Sequence, residues 1–246
     1  MIPKIIHYCW FGGNPLPEDA KRCIASWRRY MPDFEIKEWN ETNFNVHCNT
    51  YCSQAYNAKK YAFVSDYARF WILYQEGGVY FDTDVEVIRP MDDILIHGAF
   101  MGCERTPTKD NPKITVNPGL GVAIAPKNPI YKELLDIYNE RSFIKSDGTM
   151  DLKTIVTTTT EVLFNHGLKK SDKIQEIEGI WIYPKDFFCP ISIDGEMEMT
   201  ERTHTIHHYA QTWKPTSHIW LRNMILSIGG WRLKRFVSRI YRLISK

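Results

Sequence analysis

Residues 61–84 read YAFVSDYARFWILYQEGGVYFDTD, and this stretch decides the fold. Its apolar residues recur at helical spacing and predict a helix over 61–76. They are Phe63, Tyr67, Phe70, Trp71 and Tyr74. The double glycine that follows ends this helix, and Val79–Phe81 predicts a buried strand. That strand runs directly into two carboxylates, Asp82 and Asp84, so the stretch predicts an α/β sheet with an acidic strand end.

The N-terminal segment predicts the first strands of the same sheet. Ile2–Trp10 is a mostly apolar run of strand length, and a turn cluster of two glycines, an asparagine and a proline follows Phe11. Residues from Glu18 to about Met31 have helical spacing, and Phe34–Trp39 predicts a second strand. This order is typical of a β-α-β unit. Weaker patterns predict strands near 99–103, 121–125, 173–178 and 203–208, and helices near 130–141 and 151–165.

Composition excludes several classes of protein. The chain has 246 residues, of which 43% are hydrophobic and 24% charged, so it can bury a core and is not intrinsically disordered. No apolar run approaches the roughly 20 residues of a spanning helix, and the N-terminus lacks a signal-peptide pattern. We therefore expect a cytosolic protein whose six scattered cysteines are free thiols. His47, Cys48 and Cys52 suggest zinc only weakly, since no second ligand pair follows at finger-like spacing.

The net charge of +2 hides a division between an acidic body and a basic tail. From Lys214 onward there are eight basic residues and no acidic one, whereas residues 1–213 carry a net charge of −6. Apolar and basic residues in 231–246 fall on opposite sides of a helix, which predicts a basic amphipathic helix. We therefore expect a catalytic domain over 1–215 and helices over 216–246 that bind an anionic membrane surface. The alternative is that the apolar face packs on the catalytic domain or a second subunit.

Four charged residues of the opening stretch form the candidate site. Asp82 and Asp84 lie at the carboxyl end of a predicted strand, where ligands bind in open α/β sheets. Two such carboxylates can reach one hard divalent cation, although an ordinary acidic turn has the same sequence. Asp66 and Arg69 are three residues apart and share a helical face, which also fits a simple surface ion pair.

Three ordered motifs carry a family resemblance. They are the opening Ile2–Gly13, the stretch from Ser65 to Asp84, and His207–Trp213. Together they resemble the DXD-containing glycosyltransferases of family 32, which include bacterial capsule and lipooligosaccharide transferases and the yeast Och1-type mannosyltransferases. The glucosyltransferase domains of clostridial toxins look like more distant relatives. The resemblance implies a GT-A (Rossmann-like) fold, a nucleotide-sugar donor such as a UDP-sugar, a divalent cation, and retention at the anomeric carbon.

The resemblance also implies roles for individual residues. The catalytic set is Asp66, Arg69, Asp82 and Asp84, and the donor-binding set is Trp10, Asp66, Arg69, Tyr80, Asp82, Asn117 and Trp213. Trp10 would stack on the nucleobase, because an indole offers a flat apolar face, and Tyr80 would line the nucleotide. Asp66 and Arg69 would hold sugar hydroxyls and the diphosphate. The residues alone leave two alternatives open, a core aromatic at Trp10 and a turn asparagine at Asn117.

The implied metal ligands are Asp82, Asp84 and His208, binding Mn²⁺ or Mg²⁺. His207 and His208 end a predicted strand, so their side chains point to opposite faces and at most one of them can meet the metal. The family pattern has a tryptophan five residues after the histidine, which favours His208, with Trp213 closing the phosphate side. If both histidines are structural, the site keeps only its carboxylates.

The expected function is transfer of a hexosyl unit from a nucleotide sugar to a hydroxyl of a surface-polysaccharide or lipid-linked acceptor. The enzyme would work in the cytoplasm, peripherally on the inner face of the cell membrane, without a nucleic-acid partner. A sugar nucleotidyltransferase is disfavoured because no basic residue follows Gly12-Gly13 before Lys21. The remaining alternative is a catalytically inactive, membrane-associated protein that binds sugar nucleotides or glycans.

Overall fold

A computed structural model describes residues 1–191 and 197–210 of the chain. Trp213 and the predicted helices of 216–246 lie outside these residues. Among the described residues, no helix is long and apolar enough to cross a membrane.

The described residues form ten strands and seven helices. The strands are β1 (Ile5–Cys9), β2 (Glu35–Trp39), β3 (Gly78–Tyr80), β4 (Val85–Val87), β5 (Ala99–Arg105), β6 (Thr115–Val116), β7 (Val122–Ile124), β8 (Gln175–Ile177), β9 (Ile180–Tyr183) and β10 (Thr205–His207). The helices are α1 (Glu18–Tyr30), α2 (Thr50–Asn57), α3 (Tyr61–Glu76), α4 (Asp92–Leu95), α5 (Pro129–Glu140), α6 (Ile155–Asn165) and α7 (Lys185–Phe188).

The main sheet is mixed, with the strand order β2-β1-β3-β7-β5-β9-β8 and with β6 paired to β5. Strand β1 is parallel to β2 and β3, and β7 is antiparallel to both β3 and β5. Two reversals make β5 run in the same direction as β1 and β3, and β9 is parallel to β5. The carboxyl ends of β1, β3, β5 and β9 therefore meet at one edge of the sheet, where α/β proteins bind ligands.

Two cores cover the two faces of this sheet. Alternate strand residues enter different cores, as the pleat requires: Ile6 and Tyr8 pack in one, and Cys9 packs in the other. The first core includes residues of α2, α3, α5 and α6, and the second includes residues of α1 and α7. The described part of the chain is thus a three-layer α/β structure.

The turn between α3 and β3 depends on glycine at two successive positions. Gly77 and Gly78 have φ angles of +68° and +96°, which side chains rarely adopt. A Cβ at Gly78 would also lie 2.7 Å from the carbonyl oxygen of Ile5. Because both positions are glycine, the helix can pass directly into the strand beside β1. The sequence predicts this helix end and the strand that follows it.

A buried histidine ties this turn to the sheet. His7 is fully buried, its Nδ1 accepts a hydrogen bond from Trp39 Nε1, and its Nε2 donates to the Gly77 carbonyl, both at 3.0 Å. Burial lowers the pKa of His7 to about 4, so the ring is neutral at ordinary pH. The neutral ring links β1, β2 and the end of α3.

A two-stranded antiparallel sheet holds the C-terminal end of the described chain. Strand β10 pairs with β4, and this register sets His207 opposite Val85. The indole of Trp27 on α1 donates a hydrogen bond to the Val85 carbonyl at 2.7 Å, which fixes β4 from the other side. As a result, His207 lies beside the Asp82–Asp84 turn.

The cysteines and the weak zinc motif have structural explanations. All six cysteines are free thiols, as expected from their scattered positions. Cys52 is buried in the first core on α2, and the side chain of Asn49 caps that helix by accepting a hydrogen bond from the Cys52 amide. His47 faces Ser53 at 2.9 Å.

Candidate active site

The candidate site lies at the carboxyl end of β3, where α3 and the Asp82–Asp84 turn meet. Arg69 is at its centre, on a buried face of α3. Its Nη2 lies 3.0 Å from Asp66 Oδ1 and 3.2 Å from Asp82 Oδ1, and its Nη1 lies 3.3 Å from Asp82 Oδ2. One guanidinium therefore holds the predicted helix carboxylate and the first carboxylate of the DXD motif together.

The charges in this group differ in their exposure to solvent. The side chains of Arg69 and Asp66 are 5% and 13% exposed, whereas Asp82 is 29% exposed. Burial raises the pKa of Asp66 to about 6, although Arg69 opposes this shift. Asp82 is thus the member of the group that a ligand at this edge of the sheet can reach most easily.

The ring of Tyr80 packs against the Arg69 guanidinium. The guanidinium carbon lies 4.8 Å from the centre of the Tyr80 ring, which is a cation–π contact. Tyr80 is 1% exposed, and its hydroxyl donates to Asp82 Oδ1 at 3.3 Å. Burial also raises the pKa of the Cys9 thiol to about 12, so this thiol is neutral. Arg69 covers the Tyr80 ring, and the expectation that Tyr80 lines the nucleotide stays a prediction.

The second carboxylate of the motif faces the C-terminal segment. Asp84 Oδ1 lies 3.1 Å from His207 Nε2, and Asp84 Oδ2 accepts a hydrogen bond from the Ala210 amide at 2.8 Å. The backbone amide of His208 donates to the Asp84 carbonyl at 2.9 Å. The two motif aspartates therefore have different partners, Arg69 for Asp82 and the C-terminal segment for Asp84.

The choice of His208 as the histidine of the site is corrected to His207. His208 is exposed and its Nε2 lies 2.9 Å from Glu86 Oε2, whereas His207 is buried beside Asp84. Successive residues at a strand end point to opposite faces, and the pairing of β10 with β4 turns His207 inward. The sequence shows that the two histidines point to opposite faces. It does not show the register of β10 with β4, which decides which of the two points inward.

The side chains of Asp82, Asp84 and His207 fit a divalent cation. One ligand atom from each residue lies within 4.8 Å of the other two. His207 Nδ1 is buried with no hydrogen-bond partner among the described residues, which leaves a polar atom unsatisfied. Burial disfavours the charged imidazole, but Asp84 outweighs burial and raises the pKa of His207 above its usual value. A cation would compete with that proton.

The turn that contains Asn117 lies directly against the site. Asn117 Oδ1 accepts a hydrogen bond from the Gly119 amide at 2.8 Å, which is a turn contact, and Asp82 N donates to the Gly119 carbonyl at 3.1 Å. A Cβ at Gly119 would collide with Asp82 Oδ2 and lie 3.1 Å from Arg69 Nη1. Gly119 is therefore a site residue that sequence analysis missed, and an Asn-Pro-Gly turn was its only signal.

Trp10 follows β1 at the same edge of the sheet. It is half-buried against the second core, and its indole nitrogen donates to the Asn14 carbonyl at 2.7 Å. The indole is thus fixed by the glycine-rich turn, while part of it stays exposed.

Comparison with known proteins identifies the class. Residues 17–101, which include α3 and the DXD motif, match the family model described as "Glycosyltransferase sugar-binding region containing DXD motif". Residues 17–101 are therefore similar to the sugar-binding region of DXD-motif glycosyltransferases, in agreement with the resemblance drawn from the sequence.

Two curated relatives come from Schizosaccharomyces pombe (strain 972 / ATCC 24843). Inositol phosphoceramide mannosyltransferase 1 is 32% identical over 111 residues, covering 41% of this chain and 33% of its own. Inositol phosphoceramide mannosyltransferase 3 is 32% identical over 108 residues, covering 41% of this chain and 29% of its own. The match thus spans about a third of each relative.

One solved structure supports the fold over most of the chain. It is a glycosyltransferase involved in the glycosylation of the major capsid of PBCV-1, and it covers 91% of this chain and 100% of its own. The TM-score is 0.52 at 12% sequence identity. This likeness concerns the fold alone, and it agrees with the predicted GT-A fold.

Replacement of Arg69 by methionine should lower the free energy of unfolding by about 3 kcal/mol at pH 8, because it leaves buried carboxylates unpaired. The loss should be smaller at pH 5. Asp66, whose pKa is already raised to about 6, is then protonated in both proteins and no longer needs the cation. Urea denaturation at the two pH values measures the difference.

Arg141→Met is the matched control for this experiment. Arg141 pairs with Asp151 at 2.7 Å in a similarly buried pair. Burial raises the pKa of Asp151, but Arg141 and the Lys153 amide together outweigh burial and hold this pKa below its usual value. The loss in the free energy of unfolding caused by Arg141→Met should therefore change little between pH 8 and pH 5. Equal losses at both pH values for Arg69→Met would show that Asp66 does not depend on Arg69.

Proposed function

We propose that this protein is a divalent-cation-dependent, retaining glycosyltransferase that moves a hexosyl unit from a UDP-sugar to a hydroxyl of a glycan or lipid-linked acceptor. The observation that carries the proposal is the cluster of Asp82, Asp84 and His207 beside Arg69. A metal-binding set and a buried guanidinium at one sheet edge suit the two negative charges of a sugar-bound diphosphate.

Arg69 and Asp66 bind the donor in this proposal. The guanidinium is held by carboxylates on one side, so its orientation is fixed before the diphosphate arrives. Asp66 and Asp82 offer acceptor oxygens to sugar or ribose hydroxyls. The nucleobase stacks on the exposed part of Trp10, and Trp213 remains a proposed donor contact that lies beyond the described residues.

Asp82, Asp84 and His207 hold the cation. Carboxylates suit Mg²⁺ and Mn²⁺, and an imidazole is a ligand of transition metals, so the mixed set favours Mn²⁺. When bound, the cation supplies charge neutralisation for the departing diphosphate. Arg69, which is paired with Asp82, also stabilises the negative charge of the departing diphosphate.

The reaction exchanges one bond at the anomeric carbon for another. The bond from the anomeric carbon to the β-phosphate oxygen breaks, and a bond to the acceptor oxygen forms. The acceptor hydroxyl proton passes to the departing diphosphate, and the nucleoside diphosphate leaves. Asp66 and Asp82 are both engaged by Arg69, and Asp84 is engaged by His207. We assign none of them as a covalent nucleophile, so the acceptor attacks from the leaving-group face and configuration is retained.

The acceptor is proposed to lie on an anionic membrane surface. The relatives are named for transfer to inositol phosphoceramide, which supports a hexose donor and a lipid-borne acceptor for this chain. The eight basic residues from Lys214 onward suit an anionic leaflet, where each cation contributes on the order of 1 kcal/mol. We propose residues 1–215 as the catalytic unit, residues 216–246 as the membrane-binding segment, and the inner face of the cell membrane as the location.

Hydrolysis of a panel of nucleotide sugars, UDP-sugars among them, without acceptor tests the proposed function. We expect Mn²⁺-dependent release of UDP, which His207→Gln should lower by about 100-fold because a ligand is lost. His208→Gln is the matched control and should stay near the wild-type rate, since His208 faces Glu86. Asp84→Asn should abolish turnover while the protein stays folded by circular dichroism. Full activity in excess chelator, or no hydrolysis of any nucleotide sugar, would contradict the proposal.

The proposed stacking of Trp10 predicts a specific loss of affinity. Trp10→Ala should weaken UDP binding by roughly 1–3 kcal/mol, and Trp10→Phe should weaken it less, because a phenyl ring still offers a flat face. Calorimetry with UDP and Mn²⁺ measures both variants. Unchanged affinity in a folded Trp10→Ala protein would mean that the indole only packs against the second core.

The proposed membrane contact predicts lipid-dependent sedimentation. Full-length protein should sediment with vesicles that contain anionic lipid, less so in high salt, whereas a chain truncated after Pro215 should stay in the supernatant. Vesicles of neutral lipid are the control. Binding that ignores both the anionic fraction and the truncation would exclude an electrostatic anchor.

A further inference from the structure

We infer that a separate cavity at the carboxyl edge of the sheet binds a saccharide ring of the acceptor. The cavity has a volume of about 220 Å³, and its wall includes Arg105, Thr106, Lys185, Asp186 and Glu198. The inference rests on the proposed function, because it assigns the second substrate of the same reaction.

The position of the cavity follows from the sheet topology. Arg105 is the last residue of β5, and Lys185 follows β9 after a single proline. Strands β5 and β9 are parallel, so their carboxyl ends lie side by side on the edge that also carries Asp82 after β3. The cavity and the metal-binding cluster thus open at the same edge, separated in the sheet by β7.

Close packing of α7 on β5 sets the spacing between two residues of the cavity wall. A Cβ at Gly102 would lie 2.7 Å from the Phe188 ring, so glycine is required for this approach. The Phe188 ring in turn stacks on Phe100, with ring centroids 5.2 Å apart and an interplanar angle of 4°. These contacts fix the distance between Lys185 at the start of α7 and Arg105 at the end of β5.

Tyr209 connects the cavity wall to the metal-binding cluster. Its hydroxyl lies 2.9 Å from Cys189 Sγ and 3.3 Å from Glu104 Oε1, and the next residues in the chain, Pro190 and Arg105, line the cavity. The Tyr209 ring centroid is 4.2 Å from that of His207. The side chain of Tyr209 therefore lies between the proposed cation ligands and the cavity.

The chemistry of the wall matches a neutral sugar. Arg105 and Lys185 can only donate hydrogen bonds, the carboxylates of Asp186 and Glu198 can only accept them, and Thr106 can do both. Sugar hydroxyls both donate and accept, so they can satisfy every one of these groups. The two cations and two carboxylates of the wall balance, so the cavity has no net charge that would favour an anion such as phosphate.

One side of the wall is preorganised, and the volume of the cavity suits a small ligand. Asp186 is fixed by Arg202 at 2.6 Å and by the Thr200 hydroxyl at 3.3 Å. The volume of about 220 Å³ is below the 300–1,000 Å³ that is typical of drug-sized ligands, so the cavity suits one ring. A saccharide held there directs a hydroxyl toward the donor. That oxygen replaces the diphosphate oxygen at the anomeric carbon, and its proton leaves with the diphosphate.

Transfer to simple glycosides tests this assignment. The acceptors are the methyl α- and β-glycosides of glucose, galactose, mannose and N-acetylglucosamine, supplied with the UDP-sugar that the wild-type protein hydrolyses. Arg105→Met and Glu198→Gln should each raise KM for the accepted glycoside by about tenfold, as expected for loss of one hydrogen bond to a charged group. Hydrolysis of the donor without glycoside should be unchanged.

Arg89→Met and Glu201→Gln are the matched controls, because both side chains are exposed and neither lines the cavity. They should leave the KM for the glycoside at the wild-type value. An active protein that transfers to no glycoside, or cavity variants with wild-type KM, would overturn the assignment. If no nucleotide sugar is hydrolysed, the proposed function fails first. Saturation-transfer NMR with the same glycosides then tests the cavity alone, and signals that persist in both cavity variants would overturn it.

Discussion

The buried ion pairs of Arg69 are the constraint on which the rest of the site depends. The guanidinium must hold Asp66 and Asp82 together, and it can do so only if α3 passes directly into β3 and Arg69 lies beside the carboxyl end of that strand. Gly77 and Gly78 allow that close passage, and Gly119 leaves the space that Asp82 needs. These three glycines thus allow the three charged side chains to come together. Buried charges of this kind are costly unless they are paired, which fixes the arrangement tightly.

Most of the elements could be predicted because their signals are local. The stripe of α3 and its double glycine fixed the helix at Tyr61–Glu76, and the apolar run before Trp10 contained β1. The helix α2 was missed, since it is only eight residues long, and the short strands β4 and β9 carry too few residues to show a pattern. Their formation depends on tertiary pairing rather than on local sequence.

The candidate site was predictable in part for the same reason. Asp66, Arg69, Asp82 and Asp84 stand in one continuous stretch, so a motif could bring them to notice. The choice between His207 and His208 depends on how β10 pairs with β4, and no local pattern records that register. The cavity beside Lys185 could not be predicted from local sequence, because its wall comes from three separate parts of the chain. Long-range packing, not residue type, decides such features.

The backbone contacts of Asp84 have a consequence for the order of synthesis. Its carboxylate accepts a hydrogen bond from the amide of Ala210, which lies 126 residues further along the chain. Its carbonyl accepts a hydrogen bond from the amide of His208. The aspartates of the turn therefore leave the ribosome long before the imidazole and the amides that orient one of them. A chain synthesised only as far as Gly119 contains every residue of the Arg69 group but lacks His207, one of the three residues of the cation-binding cluster. The nascent protein can thus complete the cluster only after Ala210 has been synthesised.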